Sequence, residues 1–493
     1  MPDEPLTGPE RDTDDGSRFT SERIRSALPW WAVSNTSDVA KVVAITATAG
    51  PRQVITRPIL VINQHAAGEL APRRLARVNF LEAALPHRLG GSFRALIAAS
   101  SLNQFGDGML LAAGPLLLAS LTRDPFLIAL APVLQRLPIL LLGLGVGAYI
   151  DRVNRQRLVI IVDLTRAAVL MCMGALVATG TMTIGLVLAL ISLLGVAEAF
   201  ADVAGQTLLP STVPAEHIGV AQPRMMATYV GGNQLFGPPV GAFLFAVGAA
   251  WPFVANAVCF AAGAALISRM TVRHVTEETR SSAALRHDVV EGLRWLAGNG
   301  PVRTLVLTVT LFNITYGATA SVTVVWASQR LGLDEVGFGL LTSAGAVGGV
   351  VAILTFGAVT RRVSYATLMR AALVTETLVH MTCALTTTPL VAYVAMFAFG
   401  VEAFLWGTTS MTVRQALTPH HLLGRVGSVT MMGVYLGLVV GGMLGGVIAR
   451  QFGITAVYWC AVAGNFPLLV VIWRQLGHLA QAGEPHRDDS DER

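Results

Sequence analysis

About twelve stretches of this chain, each roughly 20 residues long and almost free of charge, suit hydrocarbon better than water as a solvent. They lie near 94–121, 126–149, 157–179, 183–208, 218–248 and 250–269, then near 303–328, 336–359, 366–386, 389–414, 424–449 and 453–475. In a bilayer core every backbone N–H and C=O must be satisfied within the protein, so such stretches fold as helices. Composition agrees. Charged residues make up 13% of the chain, against about 25% in a soluble domain. Hydrophobic residues reach 53%, and the mean hydropathy is +0.60. The predicted fold class is an all-α membrane protein of twelve transmembrane helices.

The net charge of +5 does not point to nucleic acid. Lys41 is the only lysine, and the arginines are scattered through short loops rather than gathered on one face. Their distribution instead sets orientation. Fifteen arginines fall in loops on the side of the termini, against three on the other side, Arg123, Arg330 and Arg450. Both termini are therefore expected in the cytoplasm, with the chain a multi-pass protein of the cell (inner or plasma) membrane. The cysteines Cys172, Cys259, Cys383 and Cys460 have no metal-site or disulfide spacing. Residues 1–72 read as a mostly disordered cytoplasmic extension, polar and acidic at its start and unlike a signal peptide. Over 73–93 an apolar stripe of Leu75, Val78, Leu81 and Leu85 beside Arg73, Arg74 and Arg77 suits a juxtamembrane amphipathic helix on the lipid surface.

The polar loop at 270–302 divides the spans into two sets of six, 94–269 and 303–475, with a tail at 476–493. The halves share a register. The second span of the first half ends Gly147-Ala-Tyr-Ile-Asp151-Arg152-Val-Asn-Arg155, and that of the second half ends Gly357-Ala-Val-Thr-Arg361-Arg362. Gly147 lies 53 residues beyond Arg94, and Gly357 lies 54 beyond Arg303. Matching turns at matching offsets are the trace of an internal repeat, so two pseudo-symmetric six-helix bundles are expected.

On these residues the chain resembles the major facilitator superfamily, whose signature after the second helix is similar to Gly147–Arg155. More narrowly it resembles the twelve-helix drug:proton antiporter branch, which includes macrolide, tetracycline and siderophore exporters. The stretches concerned are Asn103-Gln104-Phe105-Gly106-Asp107, Asp163-Leu-Thr-Arg166, Ala197-Glu198-Ala-Phe-Ala-Asp202 through Pro210, Gly237-Pro238 and Gly424-Arg425-Val426. Asn233 stands where the exporter pattern has a glycine. The resemblance covers about 90–476 and implies a major facilitator fold and secondary transport. It also implies a cytoplasmic gating motif of Gly147, Asp151, Arg152, Arg155 and Asp202, docked near Gly424 at the start of the eleventh span. An ordinary interfacial ion cluster is the alternative for those charges.

Within the spans, an ionised Asp costs about 2.5–3.5 kcal/mol at mid-bilayer on insertion scales. Asp107 is therefore expected to face a cavity, with Asn103 one turn away, or to pack against a partner such as Arg136 of the second span. Asp107, Glu198 and Glu402 are the candidates for proton coupling, because a carboxylate that can be neutral or charged is what coupling requires. Asn103, Gln104, Arg136, Glu376 and His380 are candidates for the substrate cavity, with Arg136 read as a partner for the acids. Gly433, Gly437, Gly441 and Gly445 recur every fourth residue and suit close helix packing, as do Gly237 and Pro238. Gly143, Gly145 and Gly147 lack the strand-turn-helix setting of a nucleotide loop.

The motifs of ATP-binding loops, zinc proteases and serine hydrolases are absent from the sequence, so an enzyme is not expected, nor are cofactors or metals. The expected function is proton-coupled efflux of amphipathic drugs or secondary metabolites by alternating access. The expected partners are a small-molecule substrate, protons and the lipid bilayer, with the chain acting as a monomer. An importer or facilitator of a metabolite, or a non-transporting receptor, are the alternatives. The arginine asymmetry is directly testable: a reporter fused after Gly477 should be active if it needs the cytoplasm and silent if it needs the periplasm. The reverse pattern would invert the topology.

Overall fold

The computed structural model describes residues 89–150, 153–271 and 282–483. The extension over 1–72 and most of the juxtamembrane segment lie outside the described residues, as do Asp151 and Arg152. Among the described residues the chain is a succession of helices: α1 Gly90–Leu121, α2 Pro125–Ile150, α3 Arg155–Ala178, α4 Ile184–Thr212, α5 Ile218–Thr228, α6 Gly237–Val247 and α7 Trp251–Ser268. After α8 Ser282–Gly298 come α9 Gly300–Leu331, α10 Glu335–Thr360, α11 Tyr365–Leu385, α12 Pro389–Leu417, α13 Leu423–Phe452 and α14 Ile454–Gly483. Among the described residues eleven helices are long and apolar enough to cross a bilayer. The twelfth crossing is built from α5, a π-helical segment at Tyr229–Phe236, and α6.

The π segment has a chemical cause. Gly237 is followed by Pro238 and Pro239, which have no N–H to donate. Carbonyls one turn earlier lose their partners, and the helix widens. The carbonyl of Leu235, four residues before Pro239, accepts instead from the Ser343 hydroxyl of α10 at 2.8 Å.

Packing repeats between the halves. In the first bundle α2 packs on α4, α3 on α7, and α1 on both α6 and α7; in the second α10 packs on α12, α11 on α14, and α9 on both α13 and α14. The bundles meet along two crossings, α2 with α13 and α6 with α10, which are equivalent under the same pseudo-two-fold relation. The structure therefore forms two pseudo-symmetric six-helix bundles. Both crossings are tight at the end of the molecule that carries the turns after α1, α9 and α11, here termed the distal end. There Gly442 and Gly446 lie against Val133 and Ala129 of α2, and Gly339 lies against Pro238 and Ala242 of α6. Asp124, before α2, pairs with Arg450 of α13 at 3.6 Å across the same junction.

Polar side chains finish the helices. Asn154, Thr183, Asn299, Asp334 and Ser364 cap the starts of α3, α4, α9, α10 and α11. At the distal end Arg330 donates to the carbonyls of Ala384, Leu385 and Thr386, which have no partner within α11.

Two departures from the sequence expectation stand out. The loop expected at 270–302 contains α8, an amphipathic helix whose Val289 and Leu296 are buried with Val302, Val306, Leu422, Val426 and Val429. Charges interleaved along it dilute its hydropathy, and packing on α13 stabilises it. Arg425 of α13 holds it through Asp288 at 2.9 Å and Glu291 at 2.6 Å. The second departure is in the helix ends: α1 starts at Gly90, α9 at Gly300, and α14 runs on to Gly483 through the expected tail.

Gly433, Gly437, Gly441 and Gly445 all face α9, against Thr310, Asn313, Ile314 and Ala318. A side chain at Gly441 would strike the backbone of Ile314. Gly441→Leu should therefore destabilise the second bundle by about 1–3 kcal/mol or more, read as a lower midpoint of thermal aggregation in detergent. A conservative Leu438→Ile control should change it little.

Candidate functional site

The most polar region inside the spans of the first bundle is built at mid-height. Arg166 is the twelfth residue of the 24 in α3, and Glu198 the fifteenth of the 29 in α4. Asp107 lies at the corresponding depth of α1. Arg166 is 3% exposed, and its Nη2 donates to Asp107 Oδ1. Its guanidinium also lies over the Phe260 ring of α7, 3.9 Å from the centroid. One turn from Asp107, Asn103 donates to Asp163 of α3 at 2.9 Å. Gln135 of α2 donates to Glu198 at 2.9 Å. Asp202, one turn beyond Glu198 on α4, interacts electrostatically with both Glu198 and Arg166. Arg166 thus serves four carboxylates, Asp107, Asp163, Glu198 and Asp202.

The expected partner of Asp107, Arg136, is corrected: the ion pair is made by Arg166 of α3. Asp107 is turned into the first bundle, not toward an open cavity. Arg136 makes no hydrogen bond or ion pair among the described residues. Its charge is felt by the phenols of Tyr229 in the π segment and Tyr435 of α13. Both tyrosines also interact with Asp202, and Tyr229 interacts with Tyr316 of α9. Tyr316 stacks on Phe399 of α12 at 5.4 Å. Gln234 donates to the Tyr229 hydroxyl at 3.1 Å. Tyr229 and Tyr435, one from each bundle, therefore lie within electrostatic range of Asp202.

Gln104 sits against Gly232 of the π segment, and Gly237 lies against Gly108 of α1, so the residues flanking Asp107 mark where α1 and the fifth crossing touch. Gly237 and Pro238 are buried there. The gating motif is only partly described. Gly147 lies in α2, and Arg155 opens α3. Asp202 lies within electrostatic range of Glu198 and Arg166, and the start of α13 is engaged by α8 through Arg425.

A second polar cluster lies in the other bundle. Glu376 and His380 of α11 and Glu402 of α12 are all buried. The two carboxyl groups are in hydrogen-bond contact, and His380 Nε2 is 3.7 Å from Glu376 Oε1. Among the described residues no group of three or more His, Cys, Asp or Glu side chains is arranged to hold a metal ion.

Residues 85–486 match the model of the transmembrane secretion effector family. The chain belongs to that family, within the major facilitator superfamily. Solved structures of transporters share the fold of this secretion-effector chain. A variant of the nucleoside transporter NupG is 14% identical and superposes with a TM-score of 0.65, covering 78% of this chain and 99% of its own. A bacterial homologue of the iron transporter ferroportin, inward-facing, is 16% identical with a TM-score of 0.62, over 80% of this chain and 99% of its own. A bacterial homologue of the human lysosomal transporter Spinster, inward-facing and occupied, is 14% identical with a TM-score of 0.58, over 80% and 96%. No curated protein matches the sequence. The chain is thus a multi-pass membrane transporter of the major facilitator type.

Arg166 stands in the Asp163-Leu-Thr-Arg166 stretch, so its spacing from Asp163 was visible in sequence, but its service to acids on α1 and α4 was not. Nothing local marks Tyr229, Tyr316 and Tyr435 as neighbours. The ion cluster predicts an asymmetry in stability. Asp107→Asn leaves Arg166 with three carboxylates still in reach. Arg166→Met leaves four carboxylates without their cation, and stranding buried charge costs about 3–5 kcal/mol. Thermal unfolding in detergent should show a clearly larger loss for Arg166→Met than for Asp107→Asn.

Proposed function

We propose that this chain is a proton-coupled exporter of amphipathic organic compounds, working by alternating access of residues 94–269 against 303–475. The observation that carries this reading is the set of carboxylates at mid-height in both bundles, the buried Asp107 with the half-buried Glu198 and Asp202 in one and the buried Glu376 and Glu402 in the other. Ionisable groups so deep in apolar spans are costly, and carriers of ions use them. The aromatic groups Tyr229 and Tyr435 within range of Asp202, and the stacked Tyr316 and Phe399, suit a substrate with an apolar body. The secretion-effector description of the family supports outward movement.

In this reading both termini are cytoplasmic, the protein sits in the cell membrane as a monomer, and the distal end faces outward. The glycine contacts of α13 and the Asp124–Arg450 pair then close the outer side, as in an inward-facing state. Asp107, Glu198 and Glu402 are the coupling candidates. Asn103 and Gln104 position α1, and Arg136 contributes an unpaired positive charge near the aromatic groups. The cytoplasmic motif from Gly147 to Arg155 acts as a latch between states. A single proton moving down about 100 mV supplies roughly 2.3 kcal/mol, enough for about a 50-fold gradient of a neutral solute. Import of a metabolite is the second reading, favoured by Asn233 at a glycine position of the exporter pattern.

The test is transport of fluorescent amphipathic dyes by purified protein in proteoliposomes with an imposed pH gradient. Export predicts accumulation on the outer face of the carrier, driven by inward proton flow; accumulation in the opposite direction would favour import. Asp107→Asn should lose gradient-driven accumulation while dye binding persists. Pumping at the wild-type rate by that variant would move the coupling role to Glu198 or Glu402.

A further inference from the structure

The two bundles hold their buried acids differently. Counted from the first residue of each helix, Arg166 of α3 and Glu376 of α11 occupy the same, twelfth, position. Glu198 of α4 and Glu402 of α12 occupy the fifteenth and fourteenth. Where the first bundle puts an arginine opposite its mid-height glutamate, the second puts another glutamate. Glu376 and Glu402 are each 3% exposed and touch through their carboxyl groups.

Among the described residues no arginine or lysine is paired with them. Glu376 and His380 on α11, Cys383 on the same helix, Glu402 on α12 and Tyr458 on α14 are the titratable groups at this place. The neighbouring α9 offers Thr323, which bonds the Tyr458 hydroxyl, and Trp326, whose indole bonds the Cys383 carbonyl at 3.1 Å. Among the described residues no arginine or lysine of α9, α10, α12 or α14 pairs with either glutamate. His380 is 2% exposed, and neither ring nitrogen has a hydrogen-bond partner. Its Nε2 points toward Glu376 at 3.7 Å, and its ring lies edge-on to Tyr458 at 6.5 Å.

Two carboxylates cannot both stay ionised in contact in an apolar interior. From this geometry we infer that Glu376, Glu402 and His380 form a proton-binding site of the second bundle, separate from the Asp107–Arg166 pair. The neutral cluster holds two dissociable protons. They sit either on both carboxyl groups beside a neutral imidazole, or on one carboxyl group and the imidazole, leaving one carboxylate. A proton passes between the forms from a carboxyl oxygen to His380 Nε2, with no net change of charge. In both forms at least one carboxylic acid is present. The first bundle has Arg166 among its acids as a partial counter-ion, and the second bundle has no equivalent among the described residues. The part this site plays in coupling rests on the transporter reading, whereas its bound proton does not.

Infrared spectroscopy of the full chain in liposomes tests the site without any substrate. At neutral pH the wild-type protein should show the C=O stretch of a buried carboxylic acid, and the Glu376→Gln/Glu402→Gln double variant should lose the part of it that these two residues contribute. A double variant that keeps the full band, or a wild type without one, overturns the proposal. The helical amide band in the same spectra reports folding. If the double variant fails to fold, the single variants Glu376→Gln, Glu402→Gln and His380→Gln decide: each should shift the band, and a band unmoved in all three overturns the site. Presence of the band in protein whose dye transport ignores an imposed pH gradient would keep the site and remove the proton-coupled reading.

Discussion

The need to neutralise charge inside apolar spans shapes this structure more than any other single constraint. Arg166 carries a full charge at the middle of α3, 3% exposed. A buried ion that loses its partner is expensive, whereas a pair with further hydrogen bonds is tolerated. Asp107, Asp163, Glu198 and Asp202 come to Arg166 from three helices, so α1, α3 and α4 are fixed in height relative to one another. Phe260 closes the site from α7, and a cation over a desolvated ring adds up to about 2 kcal/mol. Arg166 Nε and Asp163 Oδ1 are buried without a hydrogen-bond partner among the described residues.

Close approach of backbones is the second element, and it serves the first. Gly106 lies against Asn256 and Gly263 against Asn103, so α1 and α7 can come together around the buried polar groups. Along α13 one glycine row meets α9, while Gly442 and Gly446 meet α2. Without water to drive association in a bilayer, such contacts gain their energy from dispersion and shape. A helix with small residues on two faces can belong to one bundle and still slide against the other. The crossing of α6 with α10 adds a hydrogen bond from Ser343 to Leu235, whose carbonyl the two prolines have released.

The pseudo-symmetry makes the chemical asymmetry informative. Equivalent helices pack on equivalent helices in both halves, yet the polar interiors differ: acids around an arginine in one, acids with a histidine in the other. A repeat that keeps its packing while changing its charges separates the scaffold from the chemistry, since packing depends on size and shape and the chemistry on a few side chains.

Much of the architecture was legible from local pattern. Apolar length fixed the spans, because helix rise and bilayer thickness are constants. The matched turns after Gly147 and Gly357 disclosed the repeat, and the acids at 107, 198, 376 and 402 could be picked out because charge is rare in such segments. The helix α8 escaped because its hydropathy is diluted by charge and its stability comes from contact with α13. Which side chains meet was settled only in three dimensions. Asp107 pairs with Arg166, 59 residues away on α3, and not with Arg136 on α2, because the packing of α1 and α3 on α7 sets the direction each helix face presents. Sequence determines a helix's length and polarity through its own residues; the partner of a buried charge depends on the rotation of two helices about their axes, which only the packed bundle fixes.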